Sequence, residues 1–149
     1  MTKYLLSLTI ALLVTIVVFG QDGSYKNAIG VRLSSSIPTV KNGITYKHFF
    51  GNNAVEGILS FGDGTAICGL YEIHKPIAVD NLQWFIGAGG YVGFSNGTSN
   101  LGAAGIVGLD YKFANIPLNL SLDWKPELNI ISKIGFAAEG VGFSARFTF

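Results

Sequence analysis

The chain alternates. In Leu118-Asn119-Leu120-Ser121-Leu122-Asp123-Trp124-Lys125, four large apolar residues hold one parity and four polar or charged residues hold the other. Successive side chains of a β-strand point to opposite faces, so this segment reads as a strand with one hydrocarbon face and one ionic face. The same period recurs seven more times. Ala28 to Leu33 sets Ile29, Val31 and Leu33 against Gly30 and Arg32, and Gly43 to Phe50 sets Ile44, Tyr46 and Phe50 against Thr45, Lys47 and Phe49. Asn53 to Phe61, Thr65 to His74, Leu82 to Phe94, Leu101 to Phe113 and a closing strand through Val141 to Phe149 continue the pattern.

Turn chemistry predicts the connections. Ser34 to Asn42, with Pro38, reads as a loop, and Gly51-Asn52 reads as a two-residue hairpin turn. That turn fixes a register in which Lys47 stands opposite Glu56, a cross-strand pair worth on the order of a few tenths of a kcal/mol. Gly62-Asp63-Gly64 is a three-residue loop, while Lys75 to Asn81, Ser95 to Asn100 and Ala114-Asn115 are polar breaks or bends. Pro126 to Ala138 is the longest predicted loop, with Leu128, Ile131 and Ile134 spaced for a brief helical turn.

Charge follows parity. Arg32, Lys47, Lys112, Lys125 and Arg146, with Glu56, Glu72, Asp110 and Asp123, all fall on the polar face. The apolar face carries no Lys, Arg or Asp; its polar intruders are His48 and, where the last strand begins, Glu139. Two closed barrels use such alternation: a soluble lipocalin-like barrel is dry inside, and a membrane barrel is the reverse. Phe50, Trp84, Tyr111, Phe113, Phe147 and Phe149 fall at strand ends of one rim, and Phe61, Phe94 and Trp124 at the other. Two aromatic belts of this kind are what membrane–water interfaces select.

Composition agrees. Only 13% of residues are charged and 49% are apolar, against about 25% charged in globular domains, so water alone would solvate this chain poorly. The predicted fold class is all-β: an eight-stranded antiparallel up-and-down transmembrane β-barrel. Five cations and four anions on its inner face make a paired interior network in place of an open pore. Gly30, Gly87, Gly89, Gly93, Gly108 and Gly142 are expected to make room for the long basic side chains.

The N-terminus is separate from the barrel. Lys3, the apolar run Leu5 to Val18, and Val18-Phe19-Gly20 before Gln21 read as a cleavable signal peptide over 1–20, leaving 21–149 as the barrel domain. The run is short of the ~20 apolar residues of a spanning helix. Cleavage removes Lys3 and leaves nine basic and nine acidic residues, so no basic patch is offered to nucleic acid. Cys68 is the single cysteine, no Cys/His cluster has metal-ligand spacing, and no cofactor is expected. Gly87-Ala88-Gly89-Gly90-Tyr91-Val92-Gly93 imitates a nucleotide-binding loop. Phe94-Ser95-Asn96-Gly97-Thr98 follows it, a turn where that motif requires a helix. His48 and His74 are the only histidines. A hydrolase needs His beside a nucleophile and an orienting acid; His74 shares a face with Glu72 but has no serine evidently near, so no enzyme is expected.

The chain resembles the small eight-stranded outer-membrane barrels of the OmpA/OmpX-like class, in the form common in Bacteroidetes. The resemblance rests on the signal peptide, the eight strands, Tyr46-Lys47-His48-Phe49, Leu118 to Pro126 with Asp123-Trp124-Lys125-Pro126, and the terminal Arg146-Phe147-Thr148-Phe149. It implies residence in the outer membrane after export through the inner membrane, with both termini in the periplasm and external loops at Gly62 to Gly64 and Pro126 to Ala138. It further implies outer-membrane lipid and the outer-membrane insertase as partners of a monomer. Phe147 and Phe149 match the C-terminal assembly signal that the insertase reads, although Ser144 stands where glycine is frequent. No catalytic residue carries over. The expected role is structural or interactive, with at most a slight porin-like leak. The alternatives are a lipid-modifying enzyme working through His74 or His48, and a lipocalin-like carrier with a dry cavity. Parity also predicts that lysine at Leu120 hinders insertion by roughly 2–4 kcal/mol and that lysine at Ser121 is milder.

Overall fold

A computed structural model describes residues 25–35, 39–131 and 133–149; the signal peptide expected at 1–20 lies outside the described residues. The strands are β1 (Asn27–Ser34), β2 (Gly43–Phe50), β3 (Asn53–Phe61), β4 (Thr65–Pro76), β5 (Leu82–Ser95), β6 (Thr98–Lys112), β7 (Leu118–Trp124), β8 (Glu127–Asn129), β9 (Gly135–Ala137) and β10 (Val141–Thr148). Each of β1 to β6 pairs antiparallel with the next, β7 pairs with β10, and β10 returns to β1, so the sheet closes.

Ten strand segments make eight staves. Trp124 opposes Val107 and Glu127 opposes Ala104, so β7 and β8 keep one register on β6 across Pro126. On the other side, Trp124 opposes Val141 and Glu127 opposes Ala137. Three steps there face four, a one-residue bulge at 138–140 that joins β9 to β10. The loop expected over Pro126 to Ala138, with its helical turn at Leu128, Ile131 and Ile134, is therefore replaced by a β-hairpin. Proline was the misleading signal: Pro126 lacks an N–H, yet its carbonyl still accepts from Gly105 at 3.0 Å, so the ladder passes through it. The expected break at Ser95 to Asn100 likewise shrinks to Asn96-Gly97, both with positive φ (48° and 75°), between the paired residues Ser95 and Thr98.

The register accounts for the tilt. Directly opposed partners lead from Arg146 through Gly30, Thr45, Ile58, Cys68, Tyr91, Gly102 and Asn129 to Gly135, eleven positions earlier in the last stave. One of those steps is the bulge. Such a stagger inclines the strands by about 40° and leaves an interior just wide enough for side chains to fill. Several glycines serve this geometry more than they make room for side chains. A Cβ at Gly30, Gly87, Gly89 or Gly108 would strike a carbonyl oxygen of the neighbouring strand, respectively of Ala145, Tyr71, Gly69 and Leu122. A Cβ at Gly93 would instead meet the Thr39 methyl.

The two faces are opposite in kind. Ile29, Val31, Leu33, Ile44, Val55, Ile67, Ile73, Ile86, Leu109, Leu122 and Phe143 are exposed on the outer wall. Arg32, Lys47, Glu56, Glu72, Lys125 and Arg146 are buried inside to 1% exposure or less. The interior is not wholly polar. Ile58, Cys68, Leu70, Phe85, Tyr91, Ala104 and Ile106, from β3 to β6, pack together as an apolar half with Val40 from the β1–β2 connection.

Candidate functional site

Four arrangements divide the predicted ionic network. The largest centres on Lys47 and Arg146. Lys47 stands opposite Glu56 across the Gly51-Asn52 turn, yet its ammonium lies closer to Glu72, at 2.8 Å, than to Glu56 or Asp110, each at 3.6 Å. It also sits 4.5 Å from the Phe85 ring centre. Arg146 reaches from β10 across the bare inner face of Gly30 to the Thr45 hydroxyl at 3.2 Å, and pairs beyond it with the Glu56 carboxylate. Its Nη1 donates to Asn119 Oδ1 (3.2 Å) and Ser121 Oγ (2.7 Å). Asn119 in turn donates to Asp110 at 2.5 Å, and the Tyr25 hydroxyl donates to the same oxygen at 3.4 Å. The planar fork of an arginine suits it to hold several partners at once.

The second arrangement is bidentate. Arg32 Nη1 and Nη2 lie 2.5 and 2.6 Å from the two Asp123 oxygens, with one strand, β10, between β1 and β7. Gly142 is the residue of β10 that opposes Asp123, and a Cβ there would lie 2.1 Å from Arg32 Nη2. Of the glycines expected to admit a long side chain, this one does so. Gly142→Ala should force the guanidinium off Asp123 and lower stability by about 1–3 kcal/mol, the usual range for overpacking, read as a shift of the urea midpoint in detergent micelles.

Lys125 pairs with Glu127 at 2.5 Å towards the mouth away from the termini. Glu127 lay in the segment read as a loop and was missed. Its carboxylate also accepts the backbone N–H groups of Thr39 (2.8 Å) and Val40 (3.1 Å), drawing the β1–β2 connection into the mouth. The available signal was parity, since Glu127 continues the series Asn119, Ser121, Asp123, Lys125. The fourth arrangement is a correction. Lys112 joins no carboxylate among the described contacts; it donates to the carbonyls of Phe113 and Ile116 and fastens the β6–β7 turn near the termini.

The histidines are separated by the wall. His48 is exposed, with Nδ1 2.8 Å from Asn27 Oδ1. His74 is buried, its Nε2 2.9 Å from Glu72 Oε2, its ring stacked on Phe85 and edge-on to Phe49. Those contacts hold a histidine in place and set no nucleophile beside it. Among the described residues, the polar half of the lumen is lined by ionic side chains, where a carrier would need an apolar lining. At the end of the barrel bearing the termini, a cavity of about 420 Å³ is lined by Tyr25, Phe49, Gln83, Asp110 and Lys112.

On the opposite rim, Lys41 Nζ lies 2.7 Å from Asp63 Oδ2. The hydrogen bond from Lys41, and then its charge, hold the Asp63 carboxyl below its ordinary value of 3.8. A lowered folded value adds stability above the unfolded pKa and loses it as pH falls through the folded one; for so exposed a pair the gain is small. In Lys41→Met, the Asp63 carboxyl should titrate back up toward 3.8 by NMR.

The sequence pattern places Trp124 at a rim, but its stave continues to Asn129. Its indole N–H donates to the Ala138 carbonyl at the bulge, at 2.5 Å, satisfying an oxygen that the irregular ladder would otherwise leave bare. Phe147 and Phe149 lie at the opposite end with rings 6.2 Å apart.

No protein-family model and no curated protein matches the chain in sequence. Among solved structures, one superimposes well and a second more loosely. The N-terminal β-barrel domain of Pseudomonas aeruginosa OprF superimposes with a TM-score of 0.65 at 13% identity, covering 85% of this chain and 98% of that one. Neisserial surface protein A (NspA) gives a TM-score of 0.48 at 14% identity, over 86% and 98%. By fold, then, this chain is a small, closed, eight-stranded antiparallel β-barrel, similar to the N-terminal barrel domain of OprF.

Proposed function

We propose that the protein is an integral outer-membrane barrel with a structural or interactive role in the cell envelope, delivered by its N-terminal signal and inserted by the outer-membrane insertase through Phe147 and Phe149. Outer-membrane lipid covers its outer wall, and it works as a monomer without catalytic chemistry. The observation that carries this reading is the inversion of the two faces. Leu33 and Val31 are 59% and 57% exposed on the wall, whereas Arg32 between them is fully buried. A soluble protein reverses that order, because burying charge is costly and exposing contiguous hydrocarbon to water invites aggregation. Buried ionic side chains and the apolar half occupy the middle of the lumen, beyond the cavity at its end, so a porin-like leak is slight at most.

Envelope fractionation followed by planar-bilayer recording tests both parts. The mature protein should sediment with outer membranes, and the reconstituted barrel should show no sustained open-pore current. Recovery in the aqueous fraction would remove the membrane reading. A steady large conductance would remove the filled lumen.

A further inference from the structure

We infer that the β8–β9 hairpin, read from sequence as an external loop, rests in the outer-leaflet interface with its outward side against lipid. The inference depends on the membrane reading above and adds a contact that this reading does not specify. Along the stave of β7 and β8, every outward position is apolar: Leu118, Leu120, Leu122, Trp124, Pro126, Leu128 and Ile130. These residues span about 40 Å of strand at 3.3 Å per residue. An inclination of about 40° reduces that to roughly 30 Å of height, slightly more than the ~25 Å apolar band of an outer-membrane barrel. The stripe therefore begins near the rim that bears the termini and ends in the opposite interface.

The hairpin widens this stripe sideways. Phe136 opposes Leu128, and Leu128 opposes Ala103 of β6. The Ile130 N–H donates to the Leu101 carbonyl at 2.8 Å. Leu101, Leu128 and Ile130 are about half exposed, and Phe136 and Ile134 reach 67% and 80%. A hairpin standing in water would be expected to be polar on its outward side; this one carries Leu128, Ile130, Ile134 and Phe136 there, continuous with the lipid-facing wall. Lys133, exposed at its tip, places a cation at headgroup height, as basic residues at membrane interfaces commonly do. Lipid is the occupant because the patch has no edge separating it from the wall below.

Spin labelling tests this in the full barrel. In a Cys68→Ala background, single cysteines at Phe136, Ile130, Leu122 and Asn96 are labelled, and the protein is reconstituted into phosphatidylcholine–phosphatidylglycerol vesicles. The Phe136 and Ile130 labels should resemble Leu122, with oxygen accessibility above that of a water-soluble nickel complex, at a depth of roughly 5–10 Å. If both match Asn96 while Leu122 stays in lipid, the inference is overturned and the barrel reading stands. Dipolar broadening with low accessibility to both reagents would make a second copy the occupant and overturn it too. Nickel access at Leu122 would remove the membrane reading itself.

Discussion

Replacing Arg146 with methionine should destabilise the folded barrel by about 3–5 kcal/mol, the usual effect of stranding one member of a buried ion pair. Arg146 is 1% exposed and serves Glu56, Thr45, Asn119 and Ser121 together. Methionine fills similar space but leaves Glu56, Glu72 and Asp110 gathered around Lys47 alone. A second change, Glu56→Gln in the Arg146→Met protein, removes the stranded charge and should recover a large part of the loss, because a buried pair removed whole is far less harmful than one removed by half. Urea titration in micelles, followed through Trp84 and Trp124 emission, measures both. Equal losses in the single and double variants would show that a stranded Glu56 charge is not what the loss of Arg146 costs. The same geometry revises the mildness expected of lysine at Ser121: that hydroxyl accepts from Arg146 at 2.7 Å, so a lysine there meets a cation and not open space.

The fold was legible in the sequence because a membrane barrel is specified by a period of two and by turn chemistry, both local. Gly51-Asn52 and Gly62-Asp63-Gly64 set their registers by themselves, and the structure pairs Phe50 with Asn53 and Phe61 with Thr65. Parity alone placed Arg32, Lys47, Glu56 and Arg146 on one face. It could not say which charge meets which, since those distances depend on a stagger accumulated around the whole barrel. Lys47 illustrates this, with Glu72 on β4 nearer to its ammonium than its directly opposed partner Glu56. The division of the interior into ionic and apolar halves was also hidden, because Cys68, Leu70 and Ile106 look out of place on a polar parity until β3 to β6 bring them together. Pro126 concealed the rest. A proline usually argues against an interior strand, but the Pro126 carbonyl keeps its bond from Gly105 of β6, so a single donor is lost from a ladder whose register is otherwise unbroken.

Leu122→Lys should cost about 2–4 kcal/mol of folding stability in a bilayer, the depth-dependent penalty for a charge on the lipid face near mid-membrane. Leu122 is 55% exposed, and on a water-soluble protein such a surface change is usually within about ±0.5 kcal/mol. The two environments therefore predict different results for one substitution. Leu122 lies one outward position from Trp124, the midpoint of the apolar stripe from Leu118 to Ile130, so a lysine stem has far to reach toward either interface. Ile130 ends the stripe at the hairpin, and lysine there should be milder because its ammonium has less distance to travel to the headgroups. Folding yields into phosphatidylcholine vesicles, scored by the shift of the unboiled band on a gel and by urea titration, compare the two variants. A loss that is greater at Leu122 than at Ile130, and that disappears when Leu122 becomes phenylalanine, is what a hydrocarbon solvent around this wall requires. Equal tolerance of lysine at both sites would mean that water, not lipid, bathes it.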